Sequence, residues 1–293
     1  AGVNQEIVKQ AIDDGVLEAR KGLKLVPRNS KIVECLTLSM KPYLPGVSGD
    51  EEAARELVES LEIDPDQILS ELDLNEEKNL RDEILERVNI DPNESFKHAL
   101  WGMMYTVSTI KQSTGPENSH EYVTMLDACE KLGEPEVGFS ALFGNGEMRN
   151  KAIKMLQEYQ NKTVDILSQF VSEKRNFKST SNMKYIYTKD EVEPNMIGET
   201  LSLAIEAGLI IPDLPTLIMA NSNEDKMKVS ARAQPEYAMK GPNIGTILGK
   251  VSQELGGSGG GHDVAAAARF PRKRKDEFIA RVDNYLKEAL NEN

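Results

Sequence analysis

The chain has 293 residues, of which 39% are hydrophobic and 28% charged, a balance that suits a soluble globular protein long enough for two domains. Its net charge of −13 excludes a surface that is basic throughout, and no apolar run approaches the ~18 residues of a membrane span. No signal-peptide pattern opens the sequence, and two cysteines, Cys35 and Cys129, offer neither a disulfide framework nor zinc spacing, which predicts free thiols in a reducing cytoplasm.

Asn4 to Asp14 carries Ile7, Val8, Ala11 and Ile12 at helical spacing behind a capping Asn4 and stops at Gly15. Val16 to Leu25, split by Lys21-Gly22, predicts a small hairpin. Lys31 to Met40 reads as a helix, followed by a loop punctuated by Pro42, Pro45, Gly46 and Gly49. Glu51 to Leu61, Pro65 to Leu72 and Glu76 to Val88 predict short acidic helices, two of them flanked by the capping pairs Asp64-Pro65 and Asp91-Pro92. Trp101, Met103, Met104 and Tyr105 read as core packing, since no aromatic series marks a base-stacking platform. Two more helices are expected at Ser119 to Leu132 and Glu136 to Leu142. A long periodic run then extends from Glu147 to about Arg175, a strut or a core helix of roughly 40 Å.

Beyond Arg175 the texture changes. Met183 to Tyr187, Thr216 to Ala220, Lys226 to Ala233 and His262 to Phe270 predict strands. Helices are expected at Pro194 to Ala207, Asn243 to Leu255 and Arg272 to Leu290. The pattern predicts an α/β chain, with a mainly helical N-terminal region and a mixed-sheet domain after it. The boundary is expected in the polar stretch Asn176 to Asn182.

Charge is distributed unevenly. Residues 226–293 hold 12 Lys/Arg against 8 Asp/Glu, whereas residues 51–100 hold 5 against 16. The acidic block repels nucleic acid, and its carboxylates read as a solvated helix face rather than an acid/base pair. A polyanion is tolerated near Arg269, Arg272, Lys273, Arg274 and Lys275, a cluster that equally fits a solvated helix start.

The most distinctive stretch is Gly256-Gly257-Ser258-Gly259-Gly260-Gly261-His262, ahead of the run Val264 to Ala268. Five glycines in six positions leave backbone N–H groups open to an anion, with His262 adding a directional donor. The same composition also fits a flexible linker.

From Lys226 onward the strand Lys228-Val229-Ser230-Ala231-Arg232, the helix from Asn243 to Leu255, and Gly259-Gly260-Gly261-His262 before the alanines come in a specific order. This segment resembles the DHHA1 domain of DHH/DHHA1 phosphoesterases, most closely the RecJ-like single-strand nucleases of archaea. Gly15 to Gly49 looks like the segment that follows the DHH domain in the same group. The resemblance implies three parts: residues 1–50 after a missing DHH domain, 51–175 as a helical acidic insert with a connecting helix, and 176–293 as a DHHA1-type nucleic-acid-binding domain.

The resemblance further implies phosphate binding by Ser230, Arg232, Gly259, Gly260, Gly261 and His262. Arg232 would act as a bidentate fork on the face it shares with Ser230, a surface ion pair being the alternative reading. Ala267 stands where these proteins often have glycine, and Ala231 replaces a bulkier residue. The family's Asp-x-Asp and Asp-His-His elements, which hold two divalent metals, are not read here, and His98, His120 and His262 are isolated. No catalytic or metal-ligating residue is therefore expected in this chain. Mn or Mg is expected in the missing DHH domain, of which the chain would be the C-terminal continuation. The implied function is strand binding for a RecJ-like single-stranded DNA or RNA exonuclease in replication or repair. Two other readings stand beside it: a Cdc45-like replication scaffold that docks GINS or another replisome protein through the acidic insert, and a phosphoesterase for short oligonucleotides or cyclic dinucleotides.

Overall fold

The computed structural model describes residues 2–88, 94–107, 116, 118–144, 146–172, 176–223 and 225–291. It divides into two compact units, Ala1–Ser168 and Gln169–Asn293.

The first unit contains α1 (Val3–Asp13), β1 (Leu17–Leu23), α2 (Ile32–Thr37), α3 (Glu51–Glu59), α4 (Leu74–Arg87), α5 (Glu94–Leu100), β2 (Trp101–Val107), α6 (Ser119–Lys131), α7 (Pro135–Leu142) and all but the last turn of α8 (Gly146–Val171). Its core gathers Leu23, Leu36, Leu57, Leu80, Ile84 and Phe96. Side-chain caps set several helix starts: Asp50 accepts from Ala53 N–H, and reciprocal capping boxes join Asp73 to Glu76 and Asn118 to Glu121. Helix α1 instead begins after Gly2, without a side-chain cap, so Asn4 lies inside it.

Two expectations fail here for physical reasons. No hairpin forms at Lys21-Gly22; β1 runs straight through it and pairs antiparallel with the distant β2, Gly22 opposite Gly102. A Cβ at Gly22 would stand 2.4 Å from Glu77 Oε2, so this glycine serves a close crossing rather than a turn. Pro65 to Leu72 makes only a single 3₁₀ turn, Leu69–Glu71. Its backbone is occupied elsewhere: Ile32 N–H donates to Gln67 O, Leu69 N–H to Ser30 O and Ser70 N–H to Arg28 O. Asp64 accepts from Asp66 N–H and so caps a turn, not a helix. The Asp91-Pro92 flank and the last residues of the long run, 173–175, lie outside the described residues. Over its described length α8 buries Ala152, Leu156, Tyr159, Val164 and Leu167, as a core helix does.

The second unit contains β3 (Lys178–Ser179), β4 (Lys184–Tyr187), α9 (Ile197–Glu206), β5 (Thr216–Ser222), β6 (Lys226–Arg232), α10 (Pro235–Ala238), α11 (Ile244–Glu254), β7 (Ser258–Gly261), β8 (Ala265–Pro271) and α12 (Lys275–Asn291). The strands form one mixed sheet in the order β3-β4-β5-β6-β8-β7, with β4 and β5 parallel and the other pairs antiparallel. Alternation along the strands sends Met227, Val229, Ala231, Ala266, Ala268 and Phe270 into the core with Leu248, Val251, Phe278 and Val282 of α11 and α12. The α/β class expected from the sequence is the observed one.

Candidate nucleic-acid interface

The same alternation turns Lys228, Ser230 and Arg232 to the opposite face of the sheet. There Lys228 pairs with Arg269, Ser230 with Ala267 and Arg232 with Ala265. On the far side of β8, Gly260 pairs with Ala267 and Ser258 with Arg269, while His262 N–H donates to Ala265 O at 2.8 Å. Ser230, Ala267 and Gly260 thus form one row across three strands, and Arg232, Ala265 and His262 form the next. Helix α9 packs on β5 and β6, whereas Ala267 and Arg269 are exposed. The floor of this open part is alanine and glycine.

The glycine run is a strand with a tight turn after it, neither a loop nor a linker. Packing accounts for most of its glycines. Helix α11 lies directly on β7: Gly245 N–H donates to His262 O, and a Cβ at Gly245 would stand 2.4 Å from Gly261 O. A Cβ at Gly259 would meet Ser252 Oγ at 2.6 Å, and one at Gly257 would meet Arg269 O at 2.0 Å. Gly260 differs, with a φ of +151° and nothing within 4 Å of its would-be Cβ, on the open face. The His262–Ala265 hydrogen bond sets the antiparallel alternation, so the N–H groups of Gly259 and Gly261 point away from β8 to the outer edge of the sheet.

Arg232 is neither a free fork nor a surface ion pair. Its Nε donates to Ser202 Oγ at 2.9 Å, and its two terminal nitrogens donate to Ala231 O at 2.9 Å and Gly198 O at 3.0 Å. All three acceptors are neutral, and no carboxylate among the described residues pairs with it. Burial lowers its pKa, but a guanidinium keeps its proton at any working pH, so a half-buried positive charge remains without a counter-ion. Ser230 is buried against Gly198 rather than presented to solvent. His262 is exposed, beside the exposed Asp263, and its ring has no partner among the described residues. The basic cluster divides: Arg272 pairs with Asp225, Arg274 with Glu277 and Lys275 with Asp276, while Arg269 and Lys273 are exposed and unpaired among the described residues.

The first unit holds a second polar constellation, which the sequence reading missed. Glu77, expected on a solvated face, is wholly buried. Its Oε1 accepts from Arg28 at 2.7 Å and Arg20 at 2.9 Å, and its Oε2 accepts from Leu23 N–H at 2.9 Å. Arg28 also donates to Leu23 O at 2.7 Å, and its backbone N–H reaches the buried Glu121 at 2.7 Å. Forty-nine residues separate Arg28 from Glu77, so no local spacing announces the pair. Both carboxylate oxygens of Glu77 are thus taken by protein groups. Trp101 is half-buried under the guanidinium of Arg81, 4.8 Å from the ring centroid, and Met103 is about half exposed, so only part of that stretch packs as core. The bare Asp-x-Asp spacing does occur once, at Asp64-Pro65-Asp66, but Asp66 is exposed and paired with Lys31. Among the described residues no three His, Cys, Asp or Glu side chains converge as ligands for a metal ion. No described helix is long and apolar enough to cross a membrane.

Residues 182–288 match the DHHA1 domain family. This part of the chain is a DHHA1 domain. The DHHA1 match spans β4 to most of α12, and so contains the whole open face and its six residues of interest. A curated relative, the uncharacterized protein MJ0831 of Methanocaldococcus jannaschii, is 25% identical over 290 residues, 99% of this chain and 60% of that protein. Among solved structures, CDC45 from Entamoeba histolytica matches with a TM-score of 0.60 and 9% identity, covering 93% of this chain and 58% of that one. The common ground there is the fold. RecJ from Thermus thermophilus, in complex with Mn2+, matches with a TM-score of 0.45 and 17% identity over 80% of this chain and 35% of its own. The chain therefore spans about three fifths or less of these proteins. Of the readings missed in the sequence, the DHHA1 packing had a visible signal: Gly245 and Gly249, four apart on one helix face, opposite the glycine strand.

Proposed function

We propose that the chain is the substrate-binding portion of a RecJ-like single-stranded nucleic-acid exonuclease, acting in DNA replication or repair in the cytoplasm of an archaeon. The observation that carries this reading is Arg232: a permanent charge without a carboxylate, one row from a bare glycine-alanine floor and level with His262. A phosphodiester supplies the missing anion. His262 would donate to a nonbridging oxygen, Gly259 and Gly261 N–H groups would line the outer edge, and Gly260 and Ala267 would let the strand lie close. Ser230 would act from beneath, holding α9 against the strand that carries Arg232. The described residues do not fit two divalent metals, so Mn or Mg and the hydrolytic step are assigned to a DHH domain preceding residues 1–50. Residues 51–175 would then be an insert between the two domains.

The test uses two variants. His262→Ala removes an exposed ring, and Arg232→Gln retains a donor for neutral acceptors while deleting the charge. Each should lower affinity for a single-stranded oligonucleotide roughly tenfold with little change in thermal midpoint. The 293-residue chain should release no nucleotides from a labelled strand with Mn or Mg, and a longer protein that includes the DHH domain should release them. Unchanged affinity in both variants would refute the site.

One further reading has support of its own. The fold match to a CDC45 over most of the chain favours a replication scaffold that docks GINS or another replisome protein through the acidic insert. A scaffold would bind that partner undisturbed by His262→Ala.

A further inference from the structure

The register of β6 and β8 points to a second line of phosphate contacts, and we propose that Arg269 and Lys273 extend the interface so that it holds a strand of about four or more nucleotides. This inference rests on the strand-binding reading above and adds the length of its substrate. Arg269 lies four residues along β8 from Ala265 and faces the same side, opposite Lys228 and Ser258. At ~3.4 Å per residue its row is ~14 Å from the row of Arg232 and His262. A stacked strand advances ~3.4 Å per nucleotide, so the two rows stand roughly four nucleotides apart, and fewer if the strand is stretched.

Between them in these three strands lie Ser230, Ala267 and Gly260, of which Ser230 is buried, so among the described residues of these strands no large side chain stands on the path along the sheet. Past Arg269 the path meets an open cleft of about 540 Å³ lined by Asp225, Lys226, Pro271, Arg272 and Lys273. Asp225 is already engaged by Arg272, so it does not neutralise Lys273, which is exposed. Of the five basic residues clustered in the sequence, the fold spends Arg272, Arg274 and Lys275 on carboxylates and leaves the two that line this path. A mono- or dinucleotide reaches one row only. A longer strand reaches both.

The experiment titrates the 293-residue chain with labelled oligonucleotides of two, four, six and eight residues, at several salt concentrations. Affinity should rise with length up to about five nucleotides and then level off. The double variant Arg269→Ala/Lys273→Ala should lose roughly tenfold for the eight-residue strand, with a shallower salt dependence by about one to two in the log–log slope, and nothing for the dinucleotide. Equal wild-type affinity for two and eight residues, or an eight-residue affinity untouched by the double variant, overturns the second line while leaving the first site standing. Absence of wild-type binding at every length overturns the strand-binding reading itself.

Discussion

Arg28 and Arg232 are each drawn into the body of a unit, and they are treated in opposite ways. Arg28 is 2% exposed and meets Glu77, which is 0% exposed, with backbone groups accepting or donating at the remaining sites. Arg232 meets three neutral oxygens and, among the described residues, no carboxylate. A buried charge is tolerated when its partner is buried with it, and a guanidinium cannot escape the cost by losing its proton. The first arrangement closes on itself and is structural. The second leaves a charge uncompensated beside an open surface, and that is where a ligand is to be sought.

The largest effect should come from opening the closed arrangement. Glu77→Ala leaves Arg28 buried without its counter-charge and should destabilise the first unit by about 3–5 kcal/mol. Chemical denaturation should show an early transition for that unit, and Arg28→Met combined with Glu77→Leu should recover much of the loss. No such recovery would mean that the pair is less decisive than its burial suggests.

The contrast sharpens at His120, a half-buried titratable group that, unlike Arg232, is able to discharge. Desolvation, helped by the charges of Lys24 and Lys41, pushes it down to about 4 from an ordinary value near 6.5. Above about pH 6.5 it is neutral in both folded and unfolded chains and contributes no pH dependence. As pH falls from 6.5 to 4 the unfolded chain takes up the proton and the folded one does not, so stability declines by up to about 3 kcal/mol and then levels. Replacing His120 with Gln should flatten that window in denaturation curves recorded across it. A wild-type curve already flat there would contradict the burial argument.

The smallest effect is expected on the acidic face. Glu51, Glu52, Glu56 and Glu59 are exposed on α3. Reversing all four to Lys should leave oligonucleotide affinity unimpaired or slightly improved, at a cost of about 1 kcal/mol from the charges near the helix N-terminus. A marked loss of affinity would assign nucleic-acid contact to the wrong region.

Much of the second unit was legible because its elements are local. The helix and strand periods of Asn243 to Leu255 and Lys226 to Ala233 appear in the structure with small shifts at their ends. Ordered spacing brought Ser230, Arg232 and the Gly-Gly-Gly-His stretch under suspicion together, and pairing through β8 sets them in adjacent rows. The first unit was less legible. Lys21-Gly22 looked like a turn because glycine marks both turns and close crossings. Pro65 to Leu72 looked helical because its backbone partners lie more than thirty residues upstream.

By itself the sequence determined the class of the fold, the positions of most helices and the uneven charge, since each of these depends on neighbours within a few turns of chain; the phosphate-binding residues were named from the DHHA1 resemblance and stay a proposal. Only the tertiary structure decided that the glycines make a strand under α11, that Glu77 is buried and that, among the described residues, Arg232 lacks a counter-ion and Arg269 and Lys273 stay unpaired. Those outcomes depend on which groups meet across long stretches of chain, and a charge acquires its meaning from what lies within a few ångströms of it.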